Sequence, residues 1–451
     1  MTHSEYITGK TSIGLGYIAL FFVNQALFAL AIPFFQMTLA YDPVHLSISL
    51  AAPIGIVALL HQRCEHWLNF LPSNPTTEHW VLSSIAVVCG VSFSLIWWLP
   101  TFISEHMLWL LFALSLVFHF SGALLSIYIK GKTYLFAQSV PQKVSFFSWL
   151  GFCERSGALV YYWLFPLAQL SLWGSLVLGM KVIGSILGLI VILGFLVVAI
   201  HFLSHHVPVP QRLAHQHQHH VTFNSVEKLA LCILLLLVIA KIGLVSAFSG
   251  LDYYVLVYYV SQDLEQGSFW KGVLSSSFAL VSIAMVPVVK VFLHHFKPID
   301  ILKTIYAISF IGSIGKWYIF MPNQQLWLVF DALLGAASFV SLVVIVPMLL
   351  SDVAGVSSAR LARSAERKVA ALQNQTTLLS ILASLIISGI LLKLCGFDAS
   401  LAHAQSDDTI TLLRLALSGG TALFNLVSLA LLFAYPLISK EEQLNTNYES
   451  N

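Results

Sequence analysis

The chain has 451 residues, of which 9% are charged and 58% apolar, with a formal net charge of +2 and a mean hydropathy of +0.85. A soluble domain carries about a quarter charged residues, so this composition excludes the soluble enzyme classes, offers no basic surface for nucleic acid, and indicates a polytopic membrane protein. Five cysteines (Cys64, Cys89, Cys153, Cys232, Cys395) show no CxxC spacing and mostly lie in apolar runs, so neither a disulfide framework nor a cysteine metal site is expected.

A bilayer span needs about 20 mostly apolar residues. Twelve such runs can be placed, at residues 13–39, 44–62, 80–100, 105–129, 145–168, 173–203, 228–258, 270–294, 301–321, 325–350, 369–394 and 410–437. The first is too long for a signal core and lacks a small-residue cleavage site, so it is expected to stay as a span. Six runs precede and six follow a polar segment, residues 204–225, that holds His205, His206, Pro208, Pro210, Arg212 and the run ending at His220. That segment is expected to be an aqueous linker between an N-terminal bundle, residues 1–203, and a C-terminal bundle, residues 226–439, with residues 440–451 as a tail. Its imidazoles can chelate zinc or nickel, but such runs are more often solvated linkers, and no metal site is assigned.

Orientation follows the lysine and arginine bias. With the N-terminus inside, Lys10, Arg63, Lys130, Lys132, Lys143, Arg212, Lys228, Lys290, Lys297, Lys303, Arg360, Arg363, Arg367, Lys368 and Lys440 are cytoplasmic, whereas Lys271, Lys393 and Arg414 fall near outer ends. Both termini and the linker are therefore expected in the cytoplasm. Six plus six spans with a cytoplasmic central loop is the pattern of the major facilitator fold, all-α with twelve transmembrane helices in two six-helix bundles. Pro33, Pro53, Pro287 and Pro347 fit inside such spans because neighbouring helices satisfy the freed backbone groups.

Three stretches carry a family resemblance: Gly14, Gly16 and Tyr17 with Ile32, Pro33, Phe34 and Phe35; Met348, Ser351, Asp352 and Val353 through Arg360, Arg363 and Glu366 to Ala370 and Gln373; and Tyr435, Pro436 and Leu437 before Glu441 and Glu442. They resemble the glycoside-pentoside-hexuronide cation symporters, the melibiose-carrier-like branch of the major facilitators, most strongly in the C-terminal half. The resemblance implies a secondary transporter of sugars or glycosides. The family's cation site does not transfer: the second span, from Ala52 to Leu60, has no carboxylate, Tyr17 replaces an acid in the first, and the fourth reads Leu124, Leu125, Ser126, Ile127, Tyr128. The loop after the second span runs from Leu68 to Asn74 without the facilitators' Gly-x-x-x-Asp-Arg-type motif. Hard cations want several oxygen ligands, so sodium coupling by the family route is not expected.

Ionisable groups within a membrane are functional candidates because they are costly there. They are His119, Glu154, Arg155, Lys181, Lys241, Asp252, Lys316 and Asp331. Lys316 is expected to pair with Asp331 or Asp252; Glu154 and Arg155, about 100° apart on a helix, are expected to meet different partners. Lys241 is a candidate solute contact. Facilitator cavities are lined chiefly by spans one, four, seven and ten, which selects Asn24, Gln25, His119, Ser126, Asp252, Tyr254, Tyr258, Ser338 and Ser341; the two tyrosines, four apart on one face, suit either a sugar platform or an interfacial belt. The family resemblance implies that Asp352 and Glu366 pair with the basic stretch from Arg360 to Lys368 and lock the inner gate.

These residues predict a carrier of a sugar, glycoside or similar small polar solute working by alternating access, with a proton as the candidate coupling ion. It needs no cofactor or metal, is no enzyme and carries no Walker motif. Partners are the solute and membrane lipid; the protein is expected to be a monomer in a bacterial inner membrane. A lysolipid carrier and a degenerate facilitator acting as a sensor or scaffold are the alternatives.

Overall fold

The computed structural model describes residues 3–31, 34–35, 39, 43–69, 75–102, 107–136, 140–161, 163–204, 223–361, 365–398 and 405–436. Most of the linker, residues 205–222, together with Pro33, Arg363 and the tail, lies outside them. In hydrocarbon every backbone polar group must be satisfied within the segment, and the apolar runs accordingly fold as helices. They are α1 His3–Ala31, α2 Pro43–Asn69, α3 Pro75–Phe102, α4 Met107–Phe136, α5 Val140–Tyr161, α6 Leu176–Ser204, α7 Ser225–Val260, α8 Leu264–His295, α9 Pro298–Ile319, α10 Leu328–Leu361, α11 Glu366–Leu394 and α12 Asp407–Phe433. Each overlaps one predicted span. Among the described residues, nine helices (α3, α4 and α6–α12) contain stretches long and apolar enough to cross a membrane; α2 holds a shorter apolar stretch, Ile48–His61.

Local chemistry sets several boundaries. Asn224 opens α7 with a reciprocal cap: its side chain accepts from the Glu227 amide at 2.7 Å while the Glu227 carboxylate accepts from the Asn224 amide at 3.0 Å. Asp263 caps α8, Ser406 caps α12, and Pro298 starts α9 where no amide donor is required. Gly396, at φ +75°, ends α11 in a left-handed turn that throws Phe397 back over the helix end. Helix α7 is not uniform. It carries π turns at Ile239–Val245 and Leu256–Val260, and α12 carries one at Ala416–Gly420.

Before the linker, α3 packs on α4 and α6, α1 on α4, α5 and α6, and α2 on α4. The α3–α6 seam depends on small residues, because a side chain at Gly90 or Gly188 would collide with the facing backbone, and one at Gly184 with the Trp97 ring. After the linker, α10 packs on α8 and α9, and α7 on α11 and α12. Among the described residues the sets are joined chiefly where α5 lies against α8 and α10 and α11 against α2 and α4, with a smaller contact between α4 and α10. The end of the molecule where α1 and α7 begin is called the linker end below, and the opposite one the far end.

Candidate functional site

At the linker end the two sets of helices are bonded together. Asn374 of α11 is the centre of the bonding: its Oδ1 accepts from Ser126 at 2.7 Å and from Lys130 at 3.3 Å, both on α4, and its Nδ2 lies 3.2 Å from His61 Nε2 on α2. One residue earlier, Gln373 accepts from the Tyr134 hydroxyl of α4, and one residue later Gln375 donates to the Ala58 carbonyl at 3.0 Å. Arg367 donates to the Leu68 carbonyl at 3.1 Å, and Lys143 of α5 pairs with Asp352 of α10. Three consecutive amides on α11 thus sit across the closure.

Above this closure lies a cavity of about 350 Å³, between helices of both sets. Tyr17, Asn24 and Gln25 reach it from α1, Glu154, Arg155 and Tyr161 from α5, Ser246 from α7, and Gln373 and Thr377 from α11; Phe339, Leu342, Val343 and Pro347 of α10 make an apolar wall. Lys130 and Gln373, which bond across the closure, also line the cavity and so form its floor. Arg155 donates to Glu154 at 3.1 Å, while its Nε is buried without a hydrogen-bond partner among the described residues. The lining therefore offers two cationic side chains, one carboxylate, three amides, and the hydroxyls of tyrosine, serine and threonine, opposite apolar surface.

The position of the cavity revises the expected lining. Asn24 and Gln25 face it as anticipated. Span four contributes Lys130 rather than His119 or Ser126; His119 is buried in the packed core and Ser126 is taken up by Asn374. Ser338 and Ser341 donate to carbonyls of their own helix, at Gly335 and Ser338, as serines in a helix often do. Spans five and eleven replace them because α5 and α11 pack across the boundary between the sets. Glu154 and Arg155 face the same cavity and pair with each other, since both long side chains bend toward the one polar space available.

The remaining candidates lie elsewhere. Asp252 is held by Lys271 of α8, whose Nζ is 2.6 Å from both carboxylate oxygens, and is not part of the lining. Tyr254 and Tyr258 pack on Phe397, with ring centroids 5.0 and 5.3 Å apart, an aromatic cluster at the far end. Lys316 pairs with Asp331 at 2.6 Å, and the two are 9% and 2% exposed. Lys241 is 3% exposed and lies behind the wall, with Nζ 4.4 Å from the Phe339 ring centroid. Lys181 sits over the Trp98 ring at 5.1 Å. Asp352 pairs with Lys143 of α5, which packs on α10, and Glu366 accepts from Ser358 at 3.0 Å; Arg363 and the Arg360 side chain lie outside the described residues. Sequence reasoning missed Tyr134, Gln373 and Asn374 as site residues, and counted Lys130 for orientation alone. The one available signal was the run of three amides, from Gln373 to Gln375, in an otherwise apolar span.

A profile described as MFS/sugar transport protein matches residues 78–439. The chain belongs to this family. It is accordingly an integral membrane protein of the transporter class rather than an enzyme. The family's fold is also found by structural similarity: to FucP, a major facilitator transporter in the outward conformation, with 8% identity, TM-score 0.59 and coverage of 94% of this chain and 99% of that one. A bacterial homologue of the iron transporter ferroportin, outward-facing, gives 11%, 0.66, 95% and 99%. The proton:xylose symporter XylE bound to 6-bromo-6-deoxy-D-glucose gives 12%, 0.64, 97% and 97%. At these identities the likeness establishes the fold. No curated protein sequence matches the chain.

Proposed function

We infer that the chain is a secondary transporter that carries a sugar or a related small polar solute by alternating access, with residues 1–203 and 226–439 as the two moving bundles. The observation that carries this reading is the double use of the cavity floor. Lys130 and Gln373 line the cavity and also hold the linker end shut, so a solute that hydrogen-bonds to them competes with the cross-bundle bonds. Solute binding and opening are then one event: the contacts that solute makes to Lys130 and Gln373 replace those lost to Asn374 and Tyr134. The cavity volume falls in the usual range for small-molecule sites, about 300–1,000 Å³. Amide, guanidinium and hydroxyl groups opposite the α10 apolar wall match the two faces of a sugar ring.

In this reading the linker end is cytoplasmic, the state described is closed inside, and the protein is a monomer in a bacterial inner membrane. Coupling is to a proton, since α2 offers no acid for the family's cation site. Asn24, Gln25, Glu154 and Arg155 are the further solute contacts beside Lys130 and Gln373.

The test is ligand-induced thermal stabilisation of the purified protein with methyl glycosides, uronides and lysolipids, with and without sodium and at two pH values. A sugar-type ligand is expected to raise the melting temperature, and Arg155→Gln to abolish the rise. Stabilisation by lysolipid alone moves the solute to an amphiphile; no stabilisation by any class, on folded protein, favours a sensor or scaffold.

A further inference from the structure

An ammonium group buried in a membrane interior needs a counter-charge or water, and without either it gives up its proton. Among the described residues, Lys241 has no acid of its own. It lies in the π turn Ile239–Val245, against the face of Phe339, and among the described residues it forms no ion pair. Two charges on neighbouring helices act on it, Lys316 on α9, which repels an ammonium there, and after it Asp331 on α10, which attracts one; these two are already paired with each other at 2.6 Å. From α11 the same π turn receives an uncharged serine, Ser380, packed on Gly243. Two amines and one acid thus make up the cluster, and only one of the amines is paired. Protonation of Lys241 changes the charge of this cluster by one without stranding Asp331.

The cluster is also next to the cavity. Phe339 stands between them, with Lys241 on its ring face and the cavity beside it, and the neighbours of Lys241 on α7, Ile242 and Val238, line the cavity as well. We propose that Lys241 is the proton-carrying group of this transporter, taking the place of the carboxylates missing from α2, with Phe339 as the shutter between it and the cavity. The proposal rests on the transport reading above. When Phe339 turns aside, the lone pair on Nζ takes a proton from a hydronium ion in the cavity, releasing water; the new ammonium is held by the ring face. Returning the proton to water after the bundles have rocked restores the amine. One proton moves per cycle and no electrons change hands.

The experiment uses the full chain in lipid nanodiscs, labelled at lysine ¹³Cε, as wild type, Lys241→Met and Lys241→Gln. A lysine resonance absent from a folded variant is expected to pass between amine and ammonium positions in wild type over a pH range distinct from that of the surface lysines, which titrate near ~10.4. A Lys241 resonance that titrates only near ~10.4 overturns the proposal. In proteoliposomes enclosing a pH-sensitive dye, with methyl β-D-galactoside and methyl β-D-glucuronide as probes, Lys241→Met is expected to keep solute exchange while solute-driven proton uptake falls about tenfold or more. Proton uptake intact in that variant overturns the proposal too. If wild type binds neither probe, the sugar reading fails, and the labelled resonance still decides the role of Lys241.

Discussion

Two sets of charges, one in each half, are buried in opposite ways. Before the linker, Glu154, Arg155 and Lys130 line a cavity, and their partners leave capacity over: Arg155 Nε is unbonded and Lys130 makes one long bond to Asn374. After it, Lys316 and Asp331 close on each other at 2.6 Å inside the bundle. An open set can trade its partners for a solute, whereas a closed set holds helices together and is costly to disturb. Charge within the membrane therefore has two meanings in one chain, and the surroundings of each charge tell them apart.

The contrast is sharpest at Asp331. Breaking a buried pair by removing one member costs about 3–5 kcal/mol, so Asp331→Ala is expected to lower the melting temperature severely, with most of the loss recovered in the Asp331→Leu, Lys316→Met double variant. If Asp331→Ala melts like wild type, the closed set is not structural. Arg155→Gln is the opposite case. It is expected to weaken solute binding by about tenfold or more, through loss of a charge-assisted bond of about 1.5–3 kcal/mol, with little change in melting temperature. A folded Arg155→Gln that binds solute as well as wild type would remove the open set from the site.

Asn374→Ala should come next in size. It deletes the group that Ser126, Lys130 and His61 share, at about 0.5–1.5 kcal/mol per neutral bond, and should shift the population toward linker-end opening. A cysteine placed at Ser126 in that background is expected to react faster with a soluble maleimide; an unchanged rate would mean that Asn374 does not hold the closure. The smallest effect is assigned to Phe397→Ala, about 0.5–1.5 kcal/mol of aromatic packing on Tyr254 and Tyr258, with solute affinity unaltered. A drop in affinity there would return the two tyrosines to the solute site.

Much of the fold was legible because lipid permits little else: long apolar runs between Lys- and Arg-bearing loops become helices, and the observed helices overlap the runs. The Lys316–Asp331 pair was readable too, from depth along two adjacent helices. The site was only half legible. Asn24 and Gln25 are polar residues in an apolar span, so they stand out; Gln373 and Asn374 begin a span, where amides look like an interfacial end. What made them central is the contact of α11 with α2 and α4, a relation between residues some 240 to 310 positions apart in the chain, as in Lys130–Asn374 and His61–Asn374. Spacing within one helix could not show that Glu154 and Arg155 turn toward the same space, because the space is made by other helices.

The π turns of α7 have a mechanical consequence. Each holds a surplus residue relative to an α turn, and a surplus residue can pass along a helix turn by turn while the backbone bonds are handed on, without the segment unwinding. At 3.6 residues per turn, each such step swings the side chains it passes by roughly 100° about the axis. With one π turn at Ile239–Val245 and another at Leu256–Val260, the stretch between them, which carries Ser246 and Asp252, is bracketed by two such joints. It behaves like a drum between two ratchets: the Asn224 cap anchors the start of α7, and the stretch turns only when Asp252 leaves Lys271 and Tyr254 leaves Phe397.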